Sequence, residues 1–359
     1  MSGAFACSPS GIACIDGKEL LVYEPADEAP AWKKTRAAKL THVAIMGDLV
    51  LAIDDTGDLV RYDAESGDEI GKTAFHGGAH ALAVGAGGVY AVALDESVEI
   101  VDGDARRAIA IAGARALALS SKLVAIGTED GKVHVRDGET TVAVADIGAP
   151  IRGLARHPAG FWLATAGDKV FRIGDDGEVA TFTRAADCAP SAVSVSRDGS
   201  MIGLVIGPKT AIALAYPSKD TLLSVTYQDR KALGVEFTDD GRFAWVGMDK
   251  GDANKIDLEN EDVYRTDPHP GRTRTTWLLI AHVDKAVRAR AKAAAAEGEA
   301  KKPGVVSATS QPPPADAAEK KPLGRPEPFQ PPSPEAHKRL VLAVLVIASA
   351  LAFLSLKCG

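Results

Sequence analysis

The chain has 359 residues, of which 46 % are apolar and 25 % are charged, a balance typical of a globular protein. Residues 1–270 carry 27 basic and 41 acidic side chains, and residues 271–359 carry 14 basic and 7 acidic ones. An acidic body repels phosphate, which argues against nucleic-acid binding. The four cysteines have no zinc-finger spacing, and they are too few for a disulfide-built secreted fold of this size.

One pattern recurs seven times along residues 1–270, at intervals of 33–42 residues. A short apolar strand, a tight turn and a second apolar strand follow one another, as in LAVGAGGVYAVAL and GVEFTDDGRFAWVG. The turns of the seven units are marked by Gly11, Asp48, Gly88, Ser121, Gly160, Gly199 and Gly241. Glycine at five of these positions fits turns that need a positive φ.

Each unit continues with a second turn rich in Asp and Gly, such as TEDGK, and an alternating strand, such as KVHVRDG. A more polar fourth strand, such as EVATFT, closes the unit. Four short strands in roughly 40 residues are typical of one β-propeller blade. We therefore predict an all-β, seven-bladed propeller over residues 1–270.

The segment GDLVRYDAESGDEI, residues 57–70, resembles the end of a WD-repeat blade. Tyr62 and Asp63 stand where that family has Trp-Asp, and the SRDG and TDDG turns resemble those of bacterial WD-like propellers. The resemblance covers about residues 3–267. It departs from the family pattern because no blade has Trp-Asp and no convincing Gly-His pair precedes it. The family's structural His–Asp network is therefore not carried over to this chain.

Two features of the predicted ring stay open from sequence. The ring closes either by contact between the first and last blades or with RTTWLLIAH, residues 274–282, as an extra strand. Cys7 and Cys14 flank the PSG turn symmetrically, which predicts that they lie opposite each other on neighbouring strands. They are buried thiols in a reducing compartment, or a disulfide in an oxidising one if the geometry allows.

Motifs for chemistry are weak. GTEDGK lacks the spacing and the Ser/Thr of a P-loop, and GAGG does not open a helix. His76 and His80 flank GGA between units two and three and are either loop residues or two ligands of an incomplete metal site. We therefore predict no catalytic residue, no metal, no cofactor and no small-molecule substrate.

After the propeller, residues 271–301 form a basic, Ala-rich segment that predicts a helix, either solvated or facing anionic lipid. Residues 302–337 are Pro-rich and predict a disordered tether, with a peptide ligand for a partner as the alternative. Residues 338–359 contain the apolar run 340–356, whose length suits a single transmembrane helix. Lys320, Lys321, Arg325, Lys338 and Arg339 precede it, so the positive-inside rule predicts a cytoplasmic propeller.

The WD-like resemblance implies a rigid platform that binds protein partners through the loops of one propeller face. The candidates for that face are five residues of the predicted inter-blade loops: Arg36, His76, His80, Arg152 and Arg230. The main alternative is a propeller enzyme, either a lactonase-like hydrolase or a quinoprotein, with a site in the central channel. A second alternative is a membrane-linked sensor or signalling subunit.

Overall fold

The computed structural model describes residues 4–8, 11–24, 29–184, 188–260, 262–266, 279–284, 286–290 and 292–293. Its residues form seven antiparallel sheets whose strands follow chain order from the innermost to the outermost strand. The predicted seven-bladed, all-β propeller is confirmed. The predicted linker 302–337 and apolar run 340–356 lie outside the described residues. No helix among the described residues is long and apolar enough to cross a membrane.

The first four blades contain sixteen strands. Blade 1 has β1 (Phe5–Ser8), β2 (Gly11–Asp16), β3 (Glu19–Tyr23) and β4 (Trp32–Thr35). Blade 2 has β5 (Leu40–Met46), β6 (Leu49–Asp54), β7 (Asp58–Asp63) and β8 (Glu69–Ala74). Blade 3 has β9 (Ala81–Val84), β10 (Val89–Ala93), β11 (Ser97–Asp102) and β12 (Ala105–Ala110), with a 3-10 turn at Ala86–Gly88. Blade 4 has β13 (Ala114–Leu119), β14 (Leu123–Thr128), β15 (Lys132–Asp137) and β16 (Thr140–Asp146).

The last three blades contain thirteen strands. Blade 5 has β17 (Ile151–His157), β18 (Phe161–Ala166), β19 (Lys169–Gly174) and β20 (Val179–Arg184). Blade 6 has β21 (Pro190–Val195), β22 (Met201–Ile206), β23 (Thr210–Ala215) and β24 (Thr221–Tyr227), and its outer edge carries a fifth strand, β29 (Leu279–Val283). Blade 7 has β25 (Ala232–Phe237), β26 (Phe243–Met248), β27 (Ala253–Asp257) and β28 (Val263–Arg265).

The second strand of each blade is its most buried element, as the continuous apolar runs predict. In β18, all six residues FWLATA are buried, and the residues of β14 and β22 are buried along most of their length. Burial on both faces follows because each blade packs between two others. Outermost strands alternate instead, as β16 does, because one face meets solvent.

The ring closes by contact between blades 7 and 1. The Phe5 ring lies over Gly247, where a Cβ atom would overlap the ring, and the Tyr23 hydroxyl donates to the Gly251 carbonyl at 2.9 Å. Phe5, Tyr23 and Trp245 share one buried cluster. Of the two predicted closures, the contact between blades is therefore the one observed. The extra strand also exists, but it extends blade 6 and does not close the ring.

The described C-terminal residues bind the propeller through a strand and a short helical stretch. After β29 come helical residues at 286–290 and 292–293, within the Ala-rich segment 271–301. Arg288 is 4 % exposed and donates to the Gly241 carbonyl at 2.6 Å. Arg290 lies 3.9 Å from Asp220, and Lys292 lies 3.5 Å from Glu259. These basic side chains contact the propeller's own acids, which neither sequence interpretation anticipated.

The prediction that Cys7 and Cys14 lie opposite each other is wrong. Cys7 pairs with Ile12, and Cys14 pairs with Phe5, so the two cysteines are offset by two residues along the hairpin. The pairing of Ser8 with Gly11 at the end of the hairpin sets this register. Both thiols are free, and burial raises the pKa of each, which makes them unreactive.

Four of the five predicted turn glycines have a positive φ, whereas Gly11 instead begins β2, where its Cβ would lie 2.8 Å from the Tyr23 carbonyl oxygen. Gly199 is the most constrained of the four. Its φ is +74°, and an added Cβ would lie 2.8 Å from Cε1 of the buried His157 ring.

Replacing Gly199 with valine should therefore destabilise the propeller by ~1–3 kcal/mol, because a β-branched residue disfavours this φ and the His157 ring has no room to move. Chemical denaturation measures the effect. Gly78→Ala is the matched control, since no atom lies within 4 Å of its Cβ position and its φ is not in the left-handed region. Equal stability of Gly199→Val and the wild type would show that the turn tolerates a side chain.

Candidate binding face

The propeller has two faces with different connections. The inter-blade face holds the loops that join successive blades, such as 75–80 and 228–231, together with the second turn of each blade, such as 94–96 and 249–252. The opposite face holds the first and third turns of each blade, such as 238–242 and 258–262. In the described turns, the opposite face has 15 acidic and 4 basic side chains, and the inter-blade face has 9 and 7. The body's negative charge is thus concentrated on the opposite face.

All five predicted binding residues lie at the inter-blade face, but they are spread around the ring. Arg36, His76, His80 and Arg230 occupy inter-blade loops, as predicted. Arg152 does not: it is the second residue of β17, an innermost strand. Ile151 pairs with Ala166 and Gly153 with Thr165, so Arg152 is an extra residue at the start of the ladder. The apolar pattern around it could not reveal this irregularity.

The same irregularity recurs in five of the seven innermost strands. In each case the second residue of the strand falls between two register positions: Thr41, Arg115, Arg152, Ser191 and Leu233. Bulges of this kind re-aim a side chain and are frequent at barrel rims and sites. Here they place five different side chains where the innermost strands begin, at the inter-blade end of the channel.

Arg36, His80 and Arg230 each contact a carboxylate of the propeller. Arg36 Nη1 lies 3.2 Å from Glu69, and His80 Nε2 lies 2.6 Å from Asp95 Oδ1. His80 belongs to an inter-blade loop and Asp95 to the second turn of the same blade, so blade 3 has a His–Asp link between these two connections. The sequence did not indicate this link between His80 and Asp95, because it has no convincing Gly-His pair. His76 and Arg152 are the exposed members of the set.

Arg230 faces a buried carboxylate. Its Nη2 lies 3.5 Å from Asp252, which is 1 % exposed and whose two oxygens accept no hydrogen bond. Burial raises the pKa of Asp252 to about 6, and Arg230 opposes this shift. Asn254, also buried, donates to the Tyr227 hydroxyl at 3.2 Å. Arg230 therefore compensates a buried acid and is less suited to meet a partner than its sequence position suggested.

Glu236 is a carboxyl on an innermost strand that the sequence interpretation did not single out. In every blade, one innermost-strand residue pairs with the third residue of the second strand; these residues are Ala6, Ala44, Ala83, Ala118, Ala155, Ser194 and Glu236. The Ser194 hydroxyl donates to the Val235 carbonyl of the next blade. Small side chains suit this position because neighbouring blades converge there. An alignment of the seven repeats would have shown the single charged residue.

Burial raises the pKa of the Glu236 carboxyl to about 7. Glu236 lies close enough to Cys7 of blade 1 for its charge to raise the pKa of that thiol further, after the larger effect of burial.

Among the described residues, no three His, Cys, Asp or Glu side chains have the geometry of a metal site, and His76 and His80 are not part of such a group. A cleft of about 460 Å³ lies on the opposite face between blades 1 and 2, with Glu24, Asp48 and Glu65 in its lining.

No family model matches the chain, and no curated protein matches it. Among solved structures, a chain in the crystal structure of the mitotic checkpoint complex matches with a TM-score of 0.59 and 14 % sequence identity. The match covers 68 % of this chain and 86 % of that chain. Together with the seven blades, this likeness shows a β-propeller fold. In all, 1573 chains match, so the fold does not single out one partner.

Replacing Glu236 with alanine, the residue of five other blades, should stabilise the propeller at alkaline pH. The folded carboxyl has a pKa of about 7 against its usual 4.5, so the folded state binds this proton more tightly than the unfolded chain. The wild type therefore loses stability as the pH rises from about 4.5 to about 7. Thermal melts should show a gain on the order of 1 kcal/mol at pH 8 that shrinks by pH 5.

Glu236→Gln is the control of similar size, and it should show the same flattened pH dependence because it also lacks the charge. A lower melting temperature of Glu236→Ala than of the wild type at pH 8 would mean that the ionised carboxylate stabilises the ring, contrary to this interpretation.

Proposed function

We propose that the protein is a non-catalytic macromolecular interaction platform whose inter-blade face binds a protein partner. The observation that carries the proposal is a difference between the two faces. The C-terminal residues contact the opposite face, whereas the inter-blade face presents exposed side chains. β29 runs antiparallel to β24 and so leads to the opposite face, where Arg288, Arg290 and Lys292 contact the turns of blades 6 and 7. The inter-blade face presents the exposed His76 and Arg152 on rigid strand ends and short loops.

The membrane tether belongs to the same proposal. Residues 340–356 hold 17 consecutive residues with only Ser349 and Ser355 polar, and basic residues precede them. This pattern supports a single C-terminal span with the propeller in the cytoplasm. The structural match to a chain of a multiprotein complex also favours a protein partner.

Charge reversal at the inter-blade face tests the platform. The double variant His76→Glu with Arg152→Glu should lose at least about tenfold of a specifically bound protein when the full chain is isolated from its native membrane, because both side chains are exposed and cationic groups steer partners. Quantitative mass spectrometry of the bound fraction is the measurement. Lys122→Glu, an exposed residue in a turn of the opposite face, is the matched control and should retain the partner.

Melting temperatures of both variants should equal that of the wild type, so that loss of the partner does not reflect unfolding. Recovery of the same proteins with the double variant as with Lys122→Glu would place the binding surface elsewhere.

Two arginines in the apolar run test the tether. Val346→Arg with Ala350→Arg should move the protein from the carbonate-washed membrane pellet to the soluble fraction, since a charge at mid-span costs roughly 2.5–3.5 kcal/mol on the insertion scale. Ser307→Arg with Gln311→Arg adds the same charges, also four residues apart, in the Pro-rich segment and should stay in the pellet. Protease added outside intact cells should leave the wild-type propeller uncut. Pelleting of the first variant, or external digestion of the wild type, would refute the anchor or its orientation.

A further inference from the structure

The outermost strand of a blade has a free edge, and exposed edges pair readily with foreign strands unless they are protected. Several blades show protection by charge: β4 has Lys33 and Lys34, β8 has Glu69 and Lys72, and β12 has Arg106 and Arg107. Blade 6 shows protection by cover, because β29 pairs along the outer edge of β24. Because these outer edges are protected, an edge without such protection is a candidate for binding a strand of a partner.

β16, the outer strand of blade 4, lacks both devices. Its sequence TTVAVAD has no charged side chain before Asp146, and it ends its sheet. Val142 and Val144 are each 47 % exposed. The exposed large apolar residues among the described ones all lie on outermost strands, and β16 is the strand with two of them: Ile70, Val142, Val144, Val179 and Tyr264.

Blade 6 shows how such an edge is filled. β29, with the sequence LIAHV, pairs antiparallel with Leu223–Tyr227 of β24. Tyr227 N donates to Lys209 O beyond the end of the ladder, as Ile147 N donates to Gly131 O in blade 4. The segment 223–227 therefore corresponds to 143–147. An apolar strand occupies in blade 6 the edge that no described strand covers in blade 4.

Charge identifies the occupant. Glu139 precedes β16 and Asp146 ends it, so both ends of the edge are acidic. If two copies of β16 paired antiparallel about Ala143, Asp146 of each copy would lie opposite Thr140 of the other, one position along from its Glu139, so that both ends of the pair would concentrate negative charge. Like charges across strands destabilise pairing, which argues against a second copy. A strand with basic residues at both ends would instead complement the edge.

We propose that the outer edge of β16 binds an extended segment of a partner protein by strand addition, and that this segment alternates apolar residues between basic ends. Main-chain hydrogen bonds supply the attraction, and contacts with Val142 and Val144 and the flanking charges supply the selectivity. The site lies on the blade circumference, away from the inter-blade face. The outcome of a binding test at this edge is therefore independent of the outcome of the charge-reversal test at the inter-blade face.

The test uses the full-length protein in detergent and a fluorescent peptide of alternating threonine and valine with two lysines at each end. Fluorescence anisotropy should show saturable binding, and hydrogen exchange should show protection of amides in β16. Val142→Lys with Val144→Lys should weaken binding at least about tenfold, because it gives β16 the charge that protects β4. Val179→Lys, on the neighbouring outer strand β20, should leave binding unchanged.

A peptide with glutamates in place of the lysines should bind at least about tenfold more weakly, because it repels Glu139 and Asp146. The proposal is overturned if the lysine-flanked peptide does not bind saturably, or if it binds the Val142→Lys, Val144→Lys protein as tightly as the wild type. It is also overturned if the wild type forms a dimer that this variant abolishes, since the occupant would then be a second copy.

Discussion

The fold depends on the contact between blade 7 and blade 1, because a propeller with an open ring would leave two blade faces in water. Here the two ends of the repeat array meet through packing. The Phe5 ring fills the space above Gly247, and one hydrogen bond joins Tyr23 to the Gly251 carbonyl. The first and last blades each supply four strands of their own. The closure therefore rests on van der Waals contact and buried apolar area at one seam.

The seam also explains the unusual titration behaviour near it. Glu236 stands at a position where the other blades have alanine or serine, and it lies at the boundary between the last and the first blade. Burial of the Glu236 carboxyl is sufficient to explain its raised pKa. Real proteins break their own repeat pattern mainly where another requirement competes with stability. An acid retained at the closing seam is the clearest such break in this ring.

The sequence predicted the features that are local and repeated. Turn glycines such as Gly199 and Gly241 and the two-residue alternation of the third strands recur in most units, and together with the regular spacing they define seven blades. The features that it did not predict are long-range or depend on one residue of register. β29 pairs with a strand more than fifty residues earlier, and Cys7 and Cys14 are separated by a two-residue offset that their symmetric spacing concealed.

The binding residues show the same limit. An inter-blade position could be inferred for Arg36 and Arg230 from the turn pattern, but their carboxylate partners Glu69 and Asp252 could not, because those acids lie on other strands and turns. The turn pattern therefore placed these residues at the inter-blade end of their blades, but it did not reveal which of their side chains contact carboxylates. Exposure distinguishes His76 and Arg152 from the rest.

Charge is distributed unevenly between the two faces of the propeller, as it is between residues 1–270 and residues 271–359. The acidic turns of the opposite face meet the basic side chains of residues 286–293, and the buried Arg288 joins the two through the Gly241 carbonyl and Glu259, 3.6 Å away. Surface ion pairs at 3.5–3.9 Å contribute little individually. Together, these ion pairs hold the start of the C-terminal segment on the face where the acids are concentrated.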